Sequence, residues 1–321
     1  KNKNLFIFNF KQMKVFSLKL IIFFIPIVVL AVGLEIYFRN VENAFKIKAD
    51  FQQQNIDKIE TLVLGTSHSQ NGINPKYFDN LTSNLSFGSQ DIQLDSALLF
   101  HYVDKMKNLK NIIIELDYHR LDIENDKTYF RLPWYYIYHQ VEIYPIKPLN
   151  RVSLYSSNTD FFNLNLMNSL KGATKKQKIN KFGFVEENYT NDFLPLNYDS
   201  VHIFKTASER LINRHQEDSE QSRIKNKKRL DAMINNSIKK GLSVYVVSTP
   251  LYETYRNHKS VLKDSYRKKY IDSLVTHSKI KYINLEDSPI FTLKDFSNDD
   301  HLNDTGAKKY TLLLNEIINS N

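Results

Sequence analysis

The chain has 321 residues, of which 42% are hydrophobic and 25% are charged, enough for one full-sized globular domain in addition to a membrane segment. It contains no cysteine, so disulfide bonds, thiolate metal sites, a cysteine nucleophile and a lipid-modified cysteine anchor are excluded. The formal net charge is +9, but five lysines lie among the first twenty residues, where there is no acidic residue. Because the charge excess belongs largely to this N-terminal flank, no nucleic-acid partner is predicted.

The segment from residue 20 to residue 38 predicts a transmembrane anchor. Residues 20–34 are apolar residues and glycine with one proline, and the apolar pattern continues beyond Glu35. A helix of this length nearly crosses the roughly 30 Å hydrocarbon core of a bilayer. The lysines of residues 1–19 keep that tail in the cytoplasm by the positive-inside rule, which predicts a single-pass protein with a periplasmic or extracellular domain. A cleaved signal peptide is the alternative, since small residues stand at 31–33.

Residues 39–58 are polar and predict a stalk or a first helix, and residues 59–321 predict one α/β domain. Short apolar runs and helical spacings give its elements: strands at 61–64, 84–88, 111–116, 242–247 and 281–285, and helices at 91–106, 219–240, 260–277 and near the C-terminus. Strands separated by helices favour parallel pairing, so we predict a doubly wound, mainly parallel five-stranded sheet. The ligand site of such a sheet lies at the carboxyl ends of its strands.

The alternation of strands and helices stops at Asp117 and resumes near Glu217, which predicts a long irregular insertion at about 118–216. Six aromatic residues between 129 and 138 are too many for a disordered linker, so we expect the insertion to pack against the sheet's carboxyl edge as a lid or subdomain. These rings form the core of the insertion or stack on sugars. The lysines between 171 and 181 form a solvated face or contact an acidic polymer.

The first strand is followed by a turn that carries a serine. The apolar run ends at Gly65 and Thr66, and Ser67 comes next. A sharp turn at the carboxyl end of a strand often holds a nucleophilic serine clear of the backbone, with the following amides directed at the same space. A polar loop between a strand and a helix is the alternative. For the residues after Ser67, we expect His68 to bond to the backbone of the turn or to line the site, and Ser69 to cap the following helix.

An acidic pair and a histidine precede the last predicted helix. Asp299, Asp300 and His301 lie just ahead of an apolar helical pattern near the C-terminus. A serine early in the chain with an acid and a histidine late is one permutation of a hydrolase triad, and triads are recognised by roles rather than by order. Ser67 and this loop both fall on the predicted carboxyl edge of the sheet.

Together these two segments resemble the SGNH (GDSL-like) hydrolase superfamily, over about residues 58–116 and 240–320. Its first block is a Gly-Asp-Ser type turn after the first strand, and its last block is an Asp-x-x-His or Asp-x-His loop before the last helix. The resemblance implies an SGNH/flavodoxin-like three-layer fold, with Ser67 as nucleophile and His301 as base. Asp299 is the expected triad acid through the Asp-x-His spacing, and Asp300 is the reserve.

The resemblance also implies an oxyanion hole. Residues 84–88 match the superfamily's second block, so the amides of Ser67 and Gly88 are the expected donors. The chain departs from the pattern at two places. The third block, Gly-x-Asn-Asp, is replaced by residues 115–120, which leaves its asparagine donor unassigned, and Asn298 stands where the Asp-x-x-His spacing requires an aspartate.

The Gly-Thr-Ser-His turn, the Asp-x-His loop and the N-terminal anchor resemble the membrane-anchored proteins of alginate O-acetylation and teichoic acid D-alanylation. That branch implies acyl transfer to an exported polysaccharide, with a membrane O-acyltransferase as the partner that supplies acyl groups. The leading hypothesis is a serine-dependent O-acyl, most simply acetyl, transferase or esterase. A catalytically inactive glycan-binding or assembly module is the alternative. No His-Glu-x-x-His motif, Walker loop or dinucleotide glycine pattern occurs, so neither a metal nor an organic cofactor is predicted.

Overall fold

The computed structural model describes residues 10–172, 178–186, 193–204 and 215–320. They cluster into two compact units: residues up to 41 with 147–172, and residues 42–146 with the described residues from 178 onward. The first nine residues of the predicted basic tail lie outside the described residues, as do Lys175 and Lys176 of the insertion.

The larger unit contains a five-stranded sheet in which every strand pair is parallel. Its strands are β1 (Thr61–Leu64), β2 (Thr82–Asn84), β3 (Asn111–Glu115), β4 (Ser243–Ser248) and β5 (Ile280–Asn284). Their order is β2-β1-β3-β4-β5, which is the order of doubly wound sheets of the flavodoxin type. The predicted α/β class with a five-stranded parallel sheet is therefore confirmed.

Strand β2 lies earlier than the predicted 84–88. Thr61 and Val63 pair with Thr82 and Asn84. The Asn84 side chain then bonds the loops on either side, since its Nδ2 donates to the Ile73 carbonyl oxygen at 2.8 Å and its Oδ1 accepts the Ser86 N–H at 2.9 Å. Beyond β2 the backbone stays beside the first strand, because the Leu85 N–H donates to the Val63 carbonyl oxygen at 2.9 Å and the Phe87 N–H donates to the Gly65 carbonyl oxygen at 3.2 Å.

The described residues contain eleven α-helices. They are α1 (Phe10–Asn40), α2 (Ala44–Gln54), α3 (Ser67–Gly72), α4 (Ile92–Tyr102), α5 (Leu132–Trp134), α6 (Pro148–Val152), α7 (Thr159–Leu170), α8 (Glu220–Lys239), α9 (Glu253–Arg256), α10 (Val261–Leu274) and α11 (Asp304–Asn319). Helix α11 packs Tyr310 and Leu314 into the main core with Val63 and Ile113 of the sheet.

The polar segment after residue 40 forms α2, which is part of the larger unit. Phe45 is buried and its ring packs edge-on against the rings of Phe87 and Tyr135, 4.9 Å from each. Asn43 caps the helix by accepting the Lys46 N–H at 2.9 Å. The aromatic part of the insertion therefore supplies core contacts to α2, which favours the interpretation of these rings as packing residues.

The smaller unit combines α1 with part of the insertion. Residues 13–40 form a helix long and apolar enough to cross a membrane, and a helix of that kind at an N-terminus is either an anchor or a signal sequence. Residues 147–172 belong to this unit, whereas 118–146 belong to the unit with the sheet. The insertion is thus divided between the two units.

Candidate active site

The turn after β1 is fixed by a buried carboxylate. Glu115, the last residue of β3, accepts hydrogen bonds from the Thr66 N–H at 2.9 Å, the Thr66 hydroxyl at 2.5 Å and the Ser69 N–H at 2.9 Å. Gly65 lies so close that a Cβ there would come within 2.6 Å of Glu115 Cβ, so the position requires glycine. Thr66 then caps α3, and Ser67 is its first residue. Ser69 is therefore not the cap that the sequence predicted.

The loop before α11 places His301 opposite this turn. Phe296 and Leu302 pair as an antiparallel bridge, and the Ser297 N–H donates to the His301 carbonyl oxygen at 2.9 Å. Behind the loop, Gly306 in α11 lies against the backbone of Asp295, where a Cβ would come within 2.1 Å of the carbonyl oxygen. The loop is therefore closed on itself and held tightly on the helix.

Ser67 and His301 meet as expected from the sequence. The Ser67 Oγ lies 2.8 Å from His301 Nε2, although the residues are 234 positions apart. This is the distance of a hydrogen bond between a nucleophile and a general base. The imidazole can therefore accept the hydroxyl proton without a rearrangement of the loop.

Two oxygens face the other ring nitrogen of His301. Asn298 Oδ1 lies 3.0 Å from Nδ1 with hydrogen-bond geometry, and Asp300 Oδ1 lies at 2.9 Å as an ion-pair contact off the N–H direction. Burial acts to raise the pKa of the Asp300 carboxyl, but the neighbouring charges of His301 and His68 outweigh it and lower that pKa well below its ordinary value. Asp300 therefore supplies the charge, and Asn298 fixes the tautomer.

The structure brings Asp300, rather than the expected Asp299, to the histidine. Asn298 Oδ1 accepts the N–H groups of Asp300 at 3.2 Å and His301 at 3.0 Å, which curls the loop so that residue 300 lies under the ring. Asp299 is directed by a different bond, since its carbonyl oxygen accepts the Tyr252 N–H at 2.9 Å. The spacing in sequence does not reveal this curl.

His68 extends the site behind Asp300. Its Nδ1 lies 2.5 Å from Asp117 Oδ2 and its Nε2 lies 3.5 Å from Asp300 Oδ2. Burial lowers the pKa of His68, but the two carboxylates more than reverse this, so its pKa is well above the ordinary value. The sequence favoured a backbone bond for this side chain, and that prediction is wrong because the ring is buried between two acids. We call Ser67, His301, Asp300, His68 and Asp117 the serine network.

Asp117 joins this network to the sheet. It lies two residues after the end of β3, and its carboxylate accepts the Thr249 N–H at 2.8 Å and the Thr249 hydroxyl at 2.5 Å after β4. No role for Asp117 was predicted from the sequence. Its position gave a signal, because an acidic residue just after a central parallel strand lies on the ligand edge of the sheet.

The two expected oxyanion donors differ in availability. Gly88 lies beside the serine, since a Cβ on it would be 3.8 Å from Ser67 Cβ. Its N–H, however, donates to Gln70 Oε1 at 2.7 Å. No described residue accepts the Ser67 N–H. The Ser67 amide can therefore bind an oxyanion as it stands, and the Gly88 amide can do so once Gln70 turns away.

The same region contains ligand atoms that lie close enough together for a metal ion. One group is His68, His119 and His215, whose ligand atoms lie within 4.8 Å of one another, and two others include members of the serine network. The rings of His119 and His215 are stacked, 4.0 Å apart and 7° from parallel. Parallel rings direct their lone pairs side by side rather than to one point, so this geometry fits a stacked neutral pair better than a metal site. Burial lowers the pKa of His119 well below its ordinary value and that of His215 to about 3, which agrees with a neutral pair.

The chain matches no protein-family model and no curated protein. What the site does is therefore inferred from the side chains themselves. They are a serine, a histidine and a largely buried carboxylate in hydrogen-bond and ion-pair contact at the carboxyl edge of a parallel sheet.

Proposed function

We propose that this protein is a membrane-anchored, SGNH-like serine O-acyltransferase or esterase that acts on an extracytoplasmic polysaccharide. The observation that carries the proposal is the 2.8 Å contact between Ser67 Oγ and His301 Nε2, with Asp300 behind the imidazole. A nucleophile, a base and a charge that stabilises the protonated base are the parts that covalent acyl transfer requires.

The first half of the reaction forms an acyl-serine. Ser67 Oγ attacks the carbonyl carbon of an ester, and His301 Nε2 takes the hydroxyl proton. The oxyanion is stabilised by the Ser67 amide, and removal of one such donor costs about 2.7 to 4 kcal/mol of barrier in serine hydrolases. The intermediate collapses when the carbon–oxygen bond to the leaving alcohol breaks and His301 returns the proton to that alcohol.

The second half transfers the acyl group. A sugar hydroxyl or a water molecule attacks the acyl-serine, and His301 accepts the proton of that nucleophile. The bond to Ser67 Oγ then breaks, and the proton returns to the serine. A sugar acceptor makes the protein a transferase and water makes it an esterase, and both use the same residues. Asp300 stabilises the imidazolium that forms in each half.

Support for the polymer, for acetyl as the acyl group and for a membrane O-acyltransferase partner comes from the family resemblance. Support for an extracytoplasmic site comes from the basic flank ahead of the apolar helix α1. The second candidate is an inactive glycan-binding module. It is favoured by one observation, the bond between the Gly88 N–H and Gln70 Oε1, which occupies an expected oxyanion donor.

The test is acyl turnover by the full-length protein in detergent with p-nitrophenyl acetate, with and without a soluble polysaccharide acceptor. Ser67→Ala is expected to lower turnover by at least about 10³-fold, and Ser69→Ala, two positions away, should retain it. Acceleration by the acceptor supports the transferase. Turnover that does not depend on Ser67 would overturn the proposal and leave the binding module.

A further inference from the structure

The smaller unit ties helices α6 and α7 to the C-terminal end of α1. Glu35 Oε1 accepts the Leu154 N–H at 2.7 Å, and Arg39 Nη2 donates to the Val152 carbonyl oxygen at 2.8 Å. The Phe38 ring stacks on that of Tyr155, with centroids 5.2 Å apart. Hydrogen bonds and ring contacts therefore fix the height of this segment along α1.

The residues of α1 that make these contacts lie in the last turns of its apolar stretch. Residues 20–38 rise about 28 Å as a helix, close to the thickness of a hydrocarbon core. Side chains from both parts of the unit line a groove of about 690 Å³, in which α1 contributes Ala31, Val32, Leu34 and Ile36 and the other helices contribute Leu149, Val152 and Leu166. Where α1 spans a bilayer, which is part of the proposed function, residues that share a groove with Ala31 and Val32 lie at the level of one leaflet.

The outer surface of α6 and α7 exposes large apolar side chains at this level, beside the polar side chains of Arg151, Asn163 and Asn168. Five large side chains there are between 47% and 74% exposed: Leu149, Val152, Leu164, Met167 and Leu170. An apolar surface of this kind is uncommon on a part of a protein that faces water. It is continuous with α1, whose apolar window has no residue buried within the protein.

We propose that α6 and α7 are a membrane-embedded element, and that lipid acyl chains of the leaflet at the C-terminal end of α1 cover their apolar face and fill the groove. The contacts favour a lipid as the occupant, because one side of the groove is formed by α1, whose residues 20–34 are apolar on every face. The polar groups at the groove's end, Glu35 and Arg39, are paired with each other at 2.8 Å and suit the headgroup boundary. Part of the insertion would thus act as a second membrane contact.

The absence of cysteine allows a direct test, since each new cysteine is the sole labelling site. Leu164→Cys, Met167→Cys and Leu170→Cys replace exposed side chains and are labelled with an environment-sensitive NBD dye. The labelled full-length proteins are reconstituted in phosphatidylcholine vesicles with or without brominated acyl chains. Val28→Cys in α1 is the membrane control, and Lys239→Cys at the exposed end of α8 is the aqueous control.

Bromolipid is expected to quench the three α7 probes roughly twofold, as it quenches Val28→Cys, and to leave Lys239→Cys unchanged. Quenching at Val28→Cys alone would overturn the inference and leave the anchor intact. Probes on α7 that are shielded from aqueous iodide but not quenched by bromolipid would show that a second copy or another protein covers the face, which also overturns it. Absence of quenching at Val28→Cys would refute the anchor together with the inference, whatever the acyl turnover of Ser67.

Discussion

Two of the buried charged networks at the carboxyl edge of the sheet differ in their basic groups. In the serine network the basic groups are imidazoles, and the series of contacts ends at a hydroxyl. In the second, which we call the arginine network, Arg267 bonds both oxygens of Glu286, at 2.5 and 3.0 Å, and Asp264 at 2.7 Å. Both networks contain a carboxylate whose pKa is lowered, Asp300 in one and Glu286 in the other.

The comparison shows that a perturbed carboxylate does not by itself mark a catalytic site. A guanidinium stays charged at every physiological pH, so the arginine network can stabilise the fold but cannot exchange protons with a substrate. An imidazole can take and return a proton, and in the serine network it faces a nucleophile at 2.8 Å. A network suited to proton transfer is therefore distinguished from one that stabilises the fold by two features, the kind of basic group it contains and the presence of a nucleophile.

The largest effect is expected from the charge behind His301. Asp300→Asn keeps the size of the side chain but removes the charge that stabilises the imidazolium, so turnover of an acetyl ester should fall by about 10² to 10⁴-fold. Asp299→Asn is the matched control and should remain close to wild type. Equal losses in the two variants, measured as kcat, would contradict the assignment of Asp300.

The arginine network should respond in stability instead. Arg267→Met removes the cation that bonds both oxygens of Glu286 and leaves Lys259, 2.8 Å from Oε2, as its remaining charged partner, so it should lower the free energy of unfolding by at most about 3 to 5 kcal/mol in urea titration. Lys268→Met is the control, because Lys268 contacts Asp264 at 3.0 Å from a largely exposed position and should cost at most about 1 kcal/mol. The folded fraction of Arg267→Met should keep its kcat. A loss of kcat without a loss of stability would place this network in the chemistry.

The smallest expected effect is a difference between the two networks in how their contributions to folding stability depend on pH. The folded pKa of His68 is raised, so its stabilising contribution is present below the unfolded value of about 6.5 and is lost as pH rises through the folded pKa. The folded pKa of Glu286 is lowered, so its contribution is present above about 4.5 and is lost as pH falls through the folded pKa. The titratable and charged groups that surround His68 are Asp117, Asp300, Glu115, His119, His215, His301 and Tyr255.

Unfolding free energies across pH 4 to 9 measure this difference. The gap between wild type and His68→Gln should narrow as pH rises, whereas the gap between wild type and Glu286→Gln should narrow as pH falls. If the free energy of unfolding of both variants follows that of wild type at a constant difference across this pH range, His68 carries no charge in the folded protein.

The strands and the positions of Ser67 and His301 at the carboxyl edge could be predicted from the sequence because they follow from local patterns. A short apolar run followed by glycine gave β1 and the position of Ser67, and the rule for parallel sheets placed it on the same edge as His301. These features depend on periodicity and on strand ends, which a sequence displays directly. The five parallel strands were predicted on the same grounds, although β2 begins and ends earlier than predicted.

The remaining features depend on contacts that no local pattern encodes. The choice of Asp300 over Asp299 follows from the two N–H groups that Asn298 accepts in one turn. The role of His68 depends on Asp117, which reaches it from a neighbouring strand 49 positions away. The division of the insertion between two units follows from long-range contacts with α1 that spacing cannot reveal.

The most direct test of the account is covalent labelling of the full-length protein with a fluorophosphonate, followed by mass spectrometry of its peptides. We expect one adduct, located on Ser67, that forms much more slowly in His301→Gln because the base that activates the hydroxyl is gone. Failure of the wild-type protein to react, or an adduct on a different residue at a rate unaffected by His301→Gln, would contradict the claim that Ser67 is an activated nucleophile.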